Sequence, residues 1–453
     1  MVISLQKNSG RKRIGNNIAI VMSPNKEAGD TIQNGGNEQN IITTEIDSEC
    51  HGKKLVGYRG NWYDVTNFAA VHPGGDVINM YVGKDATFVM DGMHRFDVLK
   101  GRRPVGKYNI TRDAFGEEMN KLEKKLRQEG YYDESLVFSL GKCGFTVSVL
   151  VLIFTLVNVG FSDYNWATRF ITGFLLALFW QQSGILMHDF MHSQGFRRRK
   201  WDEKIGVFFG TFCFGISARW WKDEHIIHHS FTNTVCYETG FVDPQAHEDV
   251  WAQNEKLFPW HKDRFSAYLV KLQHFLFFPL AVCAGRIGIT VDSLLKENRR
   301  DVWVAWFGHV CWVTILLSQF STVGGAASVY ITAALLQGVL HIQLILNHYC
   351  KRFYTKEEHH SMDYYRAMIE ANLNITCPVW MDWFHGGLNF HHEHHCFPRL
   401  PRNRMREVSL MIKKICKKHD VFYDECSFSE AVLRTLSNMF HKSILFQQKY
   451  PNL

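Results

Sequence analysis

Charged residues thin out abruptly in the middle of this 453-residue chain. Cys143 to Ser162 is uncharged over 20 residues, and Phe170 to Met187 over 18. Val302 to Asn347 is uncharged for 46 residues, too long for one membrane crossing, and Ser321-Thr322-Val323-Gly324-Gly325 divides it. About 20 apolar helical residues cross a hydrocarbon layer of about 30 Å. The pattern therefore predicts four spanning helices. Two shorter apolar stretches, Ile205–Ser217 and Gln273–Gly285, run for about 13 residues each. That length suits a surface helix better than a span, so both are placed at the membrane surface. Four spans return the chain to its starting side. Arg197-Arg198-Arg199-Lys200 and Lys351-Arg352 fall on that side, as the positive-inside bias expects.

The flanks read differently. Residues 1–49 are polar and rich in Asn, Gly and Lys, with no apolar run of signal-peptide length after Met1. They read as a disordered, cytosolic extension. Residues 50–112, dense in aromatics and turn formers, read as a small folded unit. Residues 113–135 read as a charged linker helix, 136–415 as the membrane domain and 416–453 as a cytosolic tail.

Composition narrows the chemistry. The formal charge of +7 comes with no dense Lys/Arg helix, which argues against a nucleic-acid partner. The 11 cysteines are an odd number without a C-x-x-C pair, so neither a disulfide framework nor a cysteine zinc site is expected. Histidine is in excess at 23 copies, many of them clustered.

The small unit carries Trp62-Tyr63-Asp64-Val65-Thr66, then His72-Pro73-Gly74-Gly75, and a second histidine, His94, 22 residues after the first. Two axial imidazoles on a haem iron make a one-electron carrier with no open coordination position. Pro73 and the glycines make a turn that lets a flat macrocycle approach the backbone. This stretch resembles a cytochrome b5 domain, and the resemblance makes His72 and His94 the axial ligands of haem b.

Three further clusters lie just outside the apolar runs. They are His188 and His192; His225, His228 and His229; and His391, His394 and His395. The i, i+3 and i, i+4 spacings put each set on one helix face. His348, beside Asn347 at the end of the fourth predicted span, makes a ninth imidazole. A structural zinc takes four ligands, so nine suit two metal ions better than one. Asp189, Asn347 and Glu393 stand next to the clusters as candidate outer-shell partners. His341, His359, His360, His385 and His392 are read as ordinary core or surface histidines. Trp220, Trp221, Phe384 and Phe390 flank the clusters and suit either the lining of an apolar tunnel or the membrane interface. Arg399 and Arg402 suit either a substrate phosphate or solvated surface charge.

From about residue 50 to 410 the chain resembles the membrane fatty-acid desaturases, within them the front-end group with a fused cytochrome b5 domain. The motifs are His72-Pro73-Gly74-Gly75, His188-Asp189-Phe190-Met191-His192, Trp220 through His229, Asn347-His348, and Gly386 through Pro398. The resemblance implies a helical membrane fold of about four spans with interfacial helices and a cytosolic di-iron cap, preceded by an α+β haem domain. It implies two non-haem irons on the nine histidines and O2 as co-substrate. The electron source would be cytochrome b5 reductase, and the substrate a polyunsaturated acyl-CoA or phospholipid in the endoplasmic reticulum membrane. The reaction would place a new cis double bond between an existing one and the carboxyl end. His391 departs from the glutamine usual in front-end enzymes, which leaves a sphingoid long-chain-base desaturase open. A membrane lipid hydroxylase and a non-enzymatic membrane haem protein compete with it. The hydroxylase fits the three-cluster spacing less well, and the haem protein leaves the clusters without a purpose.

Overall fold

The structure is a computed structural model. It describes residues 41–46, 50, 52–94, 96–133, 135–196, 198–245 and 250–453. The chain divides into two compact units, residues 1–113 with 360–362, and the remainder.

In the first unit β1 (Ile41–Ile46), β2 (Leu55–Tyr58), β3 (Asn61–Asp64) and β4 (Gly106–Ile110) form a sheet in the order β1-β4-β3-β2. Helices α1 (Val77–Met80) and α2 (Thr87–Met93) complete the unit. Trp62 and Tyr108 pack with ring centroids 4.7 Å apart over Cys50 and Leu55. Tyr108, Thr87 and Arg112 all donate to Asp85, which ties the sheet to the start of α2. Strand β1 corrects the expectation that 1–49 is disordered throughout. Ile41–Ile46 pairs antiparallel with β4, because a run rich in β-branched residues finds an open sheet edge there. Residues 1–40 and 47–49 of that stretch lie outside the described residues.

The second unit is helical. It opens with α3 (Ala114–Gln128), α4 (Leu136–Asn158), α5 (Trp166–Met191), α6 (Arg199–Val207) and α7 (Ala218–Ser230). It continues through α8 (Arg264–Leu295), α9 (Arg300–Leu317) and α10 (Val323–Tyr349). Short elements follow: α11 (Lys356–Ser361), α12 (Tyr364–Glu370), α13 (Asp382–His385) and α14 (His391–Cys396). Two longer helices close the chain, α15 (Arg402–Lys418) and α16 (Phe428–Lys449). Helix α4 buries only the stripe Ser139, Thr146, Val149, Ile153 and Val157 against the protein. Its Val137, Leu140, Val151 and Leu152 face outward. A helix apolar all round but covered by protein on one side needs an apolar solvent, and the protein is a membrane protein on that ground. Helices α4, α5 and α8 are each long and apolar enough to cross a membrane. The uncharged run from Val302 to Asn347 forms α9 and α10, with Thr322 capping the second through a bond from the Gly325 amide.

Both short apolar stretches depart from the sequence reading. Ile205–Ser217 is not a surface helix. It continues from α6 into a π-helical segment, Phe208–Phe214, most of it buried, which packs against α5 and α9. The carbonyls it leaves open are met by tertiary donors. His309 Nδ1 and Trp312 Nε1 reach Phe212 O at 2.9 and 2.7 Å, and Arg286 reaches Phe214 O at 2.8 Å. Gln273–Gly285 is the middle of the 32-residue α8, because the polar residues expected to end it do not. Arg286 is buried with its guanidinium 3.6 Å from the centroid of the Trp180 ring.

Two contacts tie α8 to the histidine-bearing helices α10 and α7. Phe277 lies against Tyr349, next to His348, with ring centroids 6.0 Å apart. Ser293 accepts from the amide of Ser217, the N-cap of α7. Nor do residues 416–453 hang free. β9 (Glu425–Ser427) pairs with β8 (Asn374–Thr376), and α16 packs on α8 with Met439 and Phe446 fully buried.

Helices α8 and α10 meet at Gly338, where an added Cβ would lie 2.4 Å from the Val282 carbonyl oxygen. Backbone cannot swing aside as a side chain can. Gly338→Val is expected to destabilise the bundle by about 1–3 kcal/mol or more. Thermal unfolding of the detergent-solubilised protein should show a lowered midpoint with the haem-domain signal unchanged.

Candidate metal centre

Three short helical segments and the end of α10 aim imidazoles at one place. Helix α7 starts where Ser217 accepts from the Trp220 amide at 3.1 Å, which phases His225, His228 and His229 to one side. Helix α14 follows the turn Gly386-Gly387, whose φ values of 63° and 83° suit glycine and turn the chain inward. His391, His394 and His395 are thereby buried.

All nine histidines singled out in the sequence converge. One group brings His188, His192, His225 and His394 together with ring nitrogens within 4.8 Å of one another. A second brings His228, His348 and His395 within the same limit. His391 joins the second group, its Nε2 2.8 Å from that of His348. His229 lies between the two, with Nε2 3.0 Å from His225 Nε2 and its ring stacked on His395 at 4.2 Å.

The electrostatics select neutral rings. Burial, and after it the neighbouring imidazoles, hold His192, His225, His229, His391, His394 and His395 well below the usual imidazole range. A neutral imidazole keeps one lone pair free for a metal. Four rings have Nδ1 engaged on the outside. His225 meets Gln245 Oε1 at 2.9 Å, His228 meets Asp243 at 2.9 and 3.0 Å, His395 meets Thr232 Oγ1 at 3.0 Å, and His348 meets the Ala371 carbonyl at 3.3 Å. Nδ1 as donor leaves Nε2 as a bare acceptor.

Bare Nε2 atoms about 3 Å apart repel unless a cation lies between them. Metal–nitrogen bonds of about 2.0–2.1 Å suit that spacing. Nε2 of His192 and Nε2 of His395 are buried without a hydrogen-bond partner. The donor set therefore fits two nitrogen-rich metal sites.

Of the candidate outer partners, Asp189 stands beside a cluster ring, and Asn347 and Glu393 hold neighbouring segments instead. Asp189 meets Lys142 Nζ at 2.9 Å and Arg402 Nε at 3.4 Å, and is 3.9 Å from His188 Nδ1. Asn347 donates to the carbonyls of Leu373 and Leu388. Glu393 accepts from Asn374 and Tyr423 at 2.9 and 2.7 Å, and burial raises its carboxyl to about 7. These three brace the walls. The direct acceptors, Asp243, Gln245 and Thr232, were missed because no ligand-like spacing marks them. Of the residues set aside, His392 donates to the Asp424 carbonyl, His385 contacts Gln343, and His359 packs on Phe231. Trp221 stacks on His225 at 4.1 Å, and Arg402 is engaged with Asp189.

In the first unit, His72 and His94 face each other with ring centroids 6.3 Å apart. That gap admits one metal bonded to both at about 2 Å each. Each Nδ1 points at a backbone carbonyl, Gly75 O at 3.3 Å and Met90 O at 3.1 Å, leaving Nε2 inward. Gly74 sits so close that a Cβ would lie 2.8 Å from His72 Cε1. Phe68, Val71 and Phe96, exposed near the two histidines, supply the apolar surface a macrocycle needs.

Comparison with known proteins matches each unit of the chain to a family. Residues 45–131 match the cytochrome b5-like haem/steroid binding domain, and residues 164–427 match the fatty acid desaturase family. The chain is 28% identical over 448 residues to a Delta(8)-fatty-acid desaturase of Helianthus annuus, covering 92% of this chain and 94% of that one. It is 28% identical over 413 residues to an acyl-lipid (9-3)-desaturase of Borago officinalis, covering 85% and 90%. It is also 28% identical over 427 residues to a Delta(6)-fatty-acid desaturase of Caenorhabditis elegans, covering 83% and 93%. With its imidazoles gathered as an oxygen-using oxidoreductase requires, the chain belongs to the fatty acid desaturase family and carries a cytochrome b5-like domain ahead of the catalytic one.

Proposed function

We propose that the protein is a front-end desaturase that inserts a cis double bond between an existing one and the carboxyl end of a polyunsaturated acyl chain. The observation that carries this reading is the convergence of nine imidazoles, most of them held neutral by burial, in two adjoining groups. His188, His192, His225, His228, His229, His348, His391, His394 and His395 would hold two irons. Bound there, the irons supply the O2-dependent oxidation of an unactivated C–H bond that side chains cannot perform. The acyl chain loses two hydrogens, and O2 with two electrons and two protons from outside leaves as two waters.

The chain's own residues set the conditions for that chemistry. Gln245, Asp243 and Thr232 orient the rings. Lys142 and Arg402 neutralise Asp189 beside His188. Trp221, stacked on His225, and Phe390, buried next to His391 in the chain, present apolar surface and help exclude water. His72 and His94 would hold haem b, and cytochrome b5 reductase would reduce it. An acyl-CoA or phospholipid in the endoplasmic reticulum membrane is the substrate class, with both sites facing the cytosol. The relatives named above are fatty-acid and acyl-lipid desaturases, which favours an acyl substrate over a sphingoid base. Their names also favour desaturation over hydroxylation.

Feeding defined polyunsaturated acids to a yeast that expresses the chain tests the reading. Gas chromatography should find a product with one more double bond on the carboxyl side. A hydroxy acid or a desaturated long-chain base would overturn it.

Three positions are tested by substitution. His228→Ala should abolish product while the haem spectrum is unchanged. His94→Ala should erase the haem spectrum, and product should fall unless free cytochrome b5 substitutes. His391→Gln, which installs the residue usual in front-end enzymes, should keep most activity and bound iron, whereas His391→Ala should lose both. Product yield and iron-to-haem ratio in purified protein check all three.

A further inference from the structure

We infer that the loop Thr232–Gln245, centred on Asp243, is the positioning element that fixes the ring orientation of three of the nine imidazoles and retains the metal. The inference rests on the reading that those imidazoles hold metal. The loop follows directly from α7 and supplies an outer acceptor to rings from two separate segments. Gln245 Oε1 takes His225 Nδ1 at 2.9 Å, both Asp243 oxygens take His228 Nδ1, and Thr232 Oγ1 takes His395 Nδ1 at 3.0 Å. Asp243 is fully buried and, among the described residues, makes no ion pair with Lys or Arg.

Asp243 faces three donors. Besides His228, the amide of Asn233 donates to Oδ2 at 2.8 Å and that of Gln245 donates to Oδ1 at 3.0 Å. A carboxylate accepts at both oxygens and meets all three. An asparagine would turn an N–H toward one of them. In either orientation one backbone amide loses its acceptor, and where the new N–H faces His228 that ring moves its proton to Nε2 and points it at the metal. The loop itself is clamped. Asn233, at φ 53°, donates from Nδ2 to the carbonyls of His348 and Arg352 at 3.2 and 3.1 Å. The Tyr354 amide donates to Asn233 O at 2.9 Å, and β5 (Thr234–Cys236) pairs with β7 (Tyr354–Thr355). A carboxylate so held fixes the imidazole tautomer and strengthens its metal bond, and loss of such partners costs about 10–100-fold in metal affinity.

The test uses the full-length protein purified with haem and iron. Non-haem iron per haem and the rate of iron release to a ferrous chelator are measured for the parent, Asp243→Asn, Gln245→Ala and Thr232→Val. Size-exclusion chromatography and the haem spectrum serve as controls. Asp243→Asn should release iron about 10–100-fold faster and hold less of it, with an altered Mössbauer spectrum. The other two should fall between it and the parent. Parent-like iron content and release in Asp243→Asn would overturn the inference. Should Asp243→Asn aggregate, Gln245→Ala and Thr232→Val decide: faster release supports the loop's role, and the parent rate overturns it. A parent protein with haem iron only would sink the di-iron reading itself, and is seen before any variant is compared.

Discussion

Everything in the catalytic unit depends on keeping several imidazoles neutral and close together, away from water. Burial makes protonation of these rings unfavourable, and each neighbouring ring makes it more so. The same burial would be untenable for lone pairs facing one another unless something shares them. The centre therefore suits a metal by electrostatics as much as by ligand identity.

That constraint explains the surrounding architecture. Rings that must point Nε2 inward need acceptors outside them, and the loop after α7 provides three in one short stretch. The end of α10 needs its neighbours fixed as well, and Asn347 ties it to Leu373 and Leu388. Asp424, carried on the chain's last segment, accepts from His392, accepts from the Asn374 amide, and pairs with Lys351 and Arg434. A segment that looks like a tail therefore closes the wall of the site.

The π-helical segment Phe208–Phe214 obeys the same logic in the apolar interior. Departing from the α pattern frees carbonyls, and in a low-dielectric core they must be met. His309, Trp312 and Arg286 meet them. Each is a structural donor to that segment.

The local patterns were legible from the chain alone. Uncharged runs marked α4, α5 and the pair α9 and α10, i, i+3 and i, i+4 spacing put histidines on shared faces, and the His72-Pro73-Gly74-Gly75 turn with His94 marked a candidate haem pair. These features are readable because they live within one helix or one turn, where periodicity translates directly into geometry. What only tertiary structure decided was pairing across distance. No spacing rule connects Asp243 to His228, Thr232 to His395, or Arg286 to Phe214. Each depends on which segments pack together, and hydrogen-bond acceptors carry no periodic signature. For the same reason the extents of α8 and of the buried stretch after α6 were misjudged. A charged residue ends an apolar run in a sequence window, but in the folded bundle a ring and a carbonyl can satisfy it and let the helix run on.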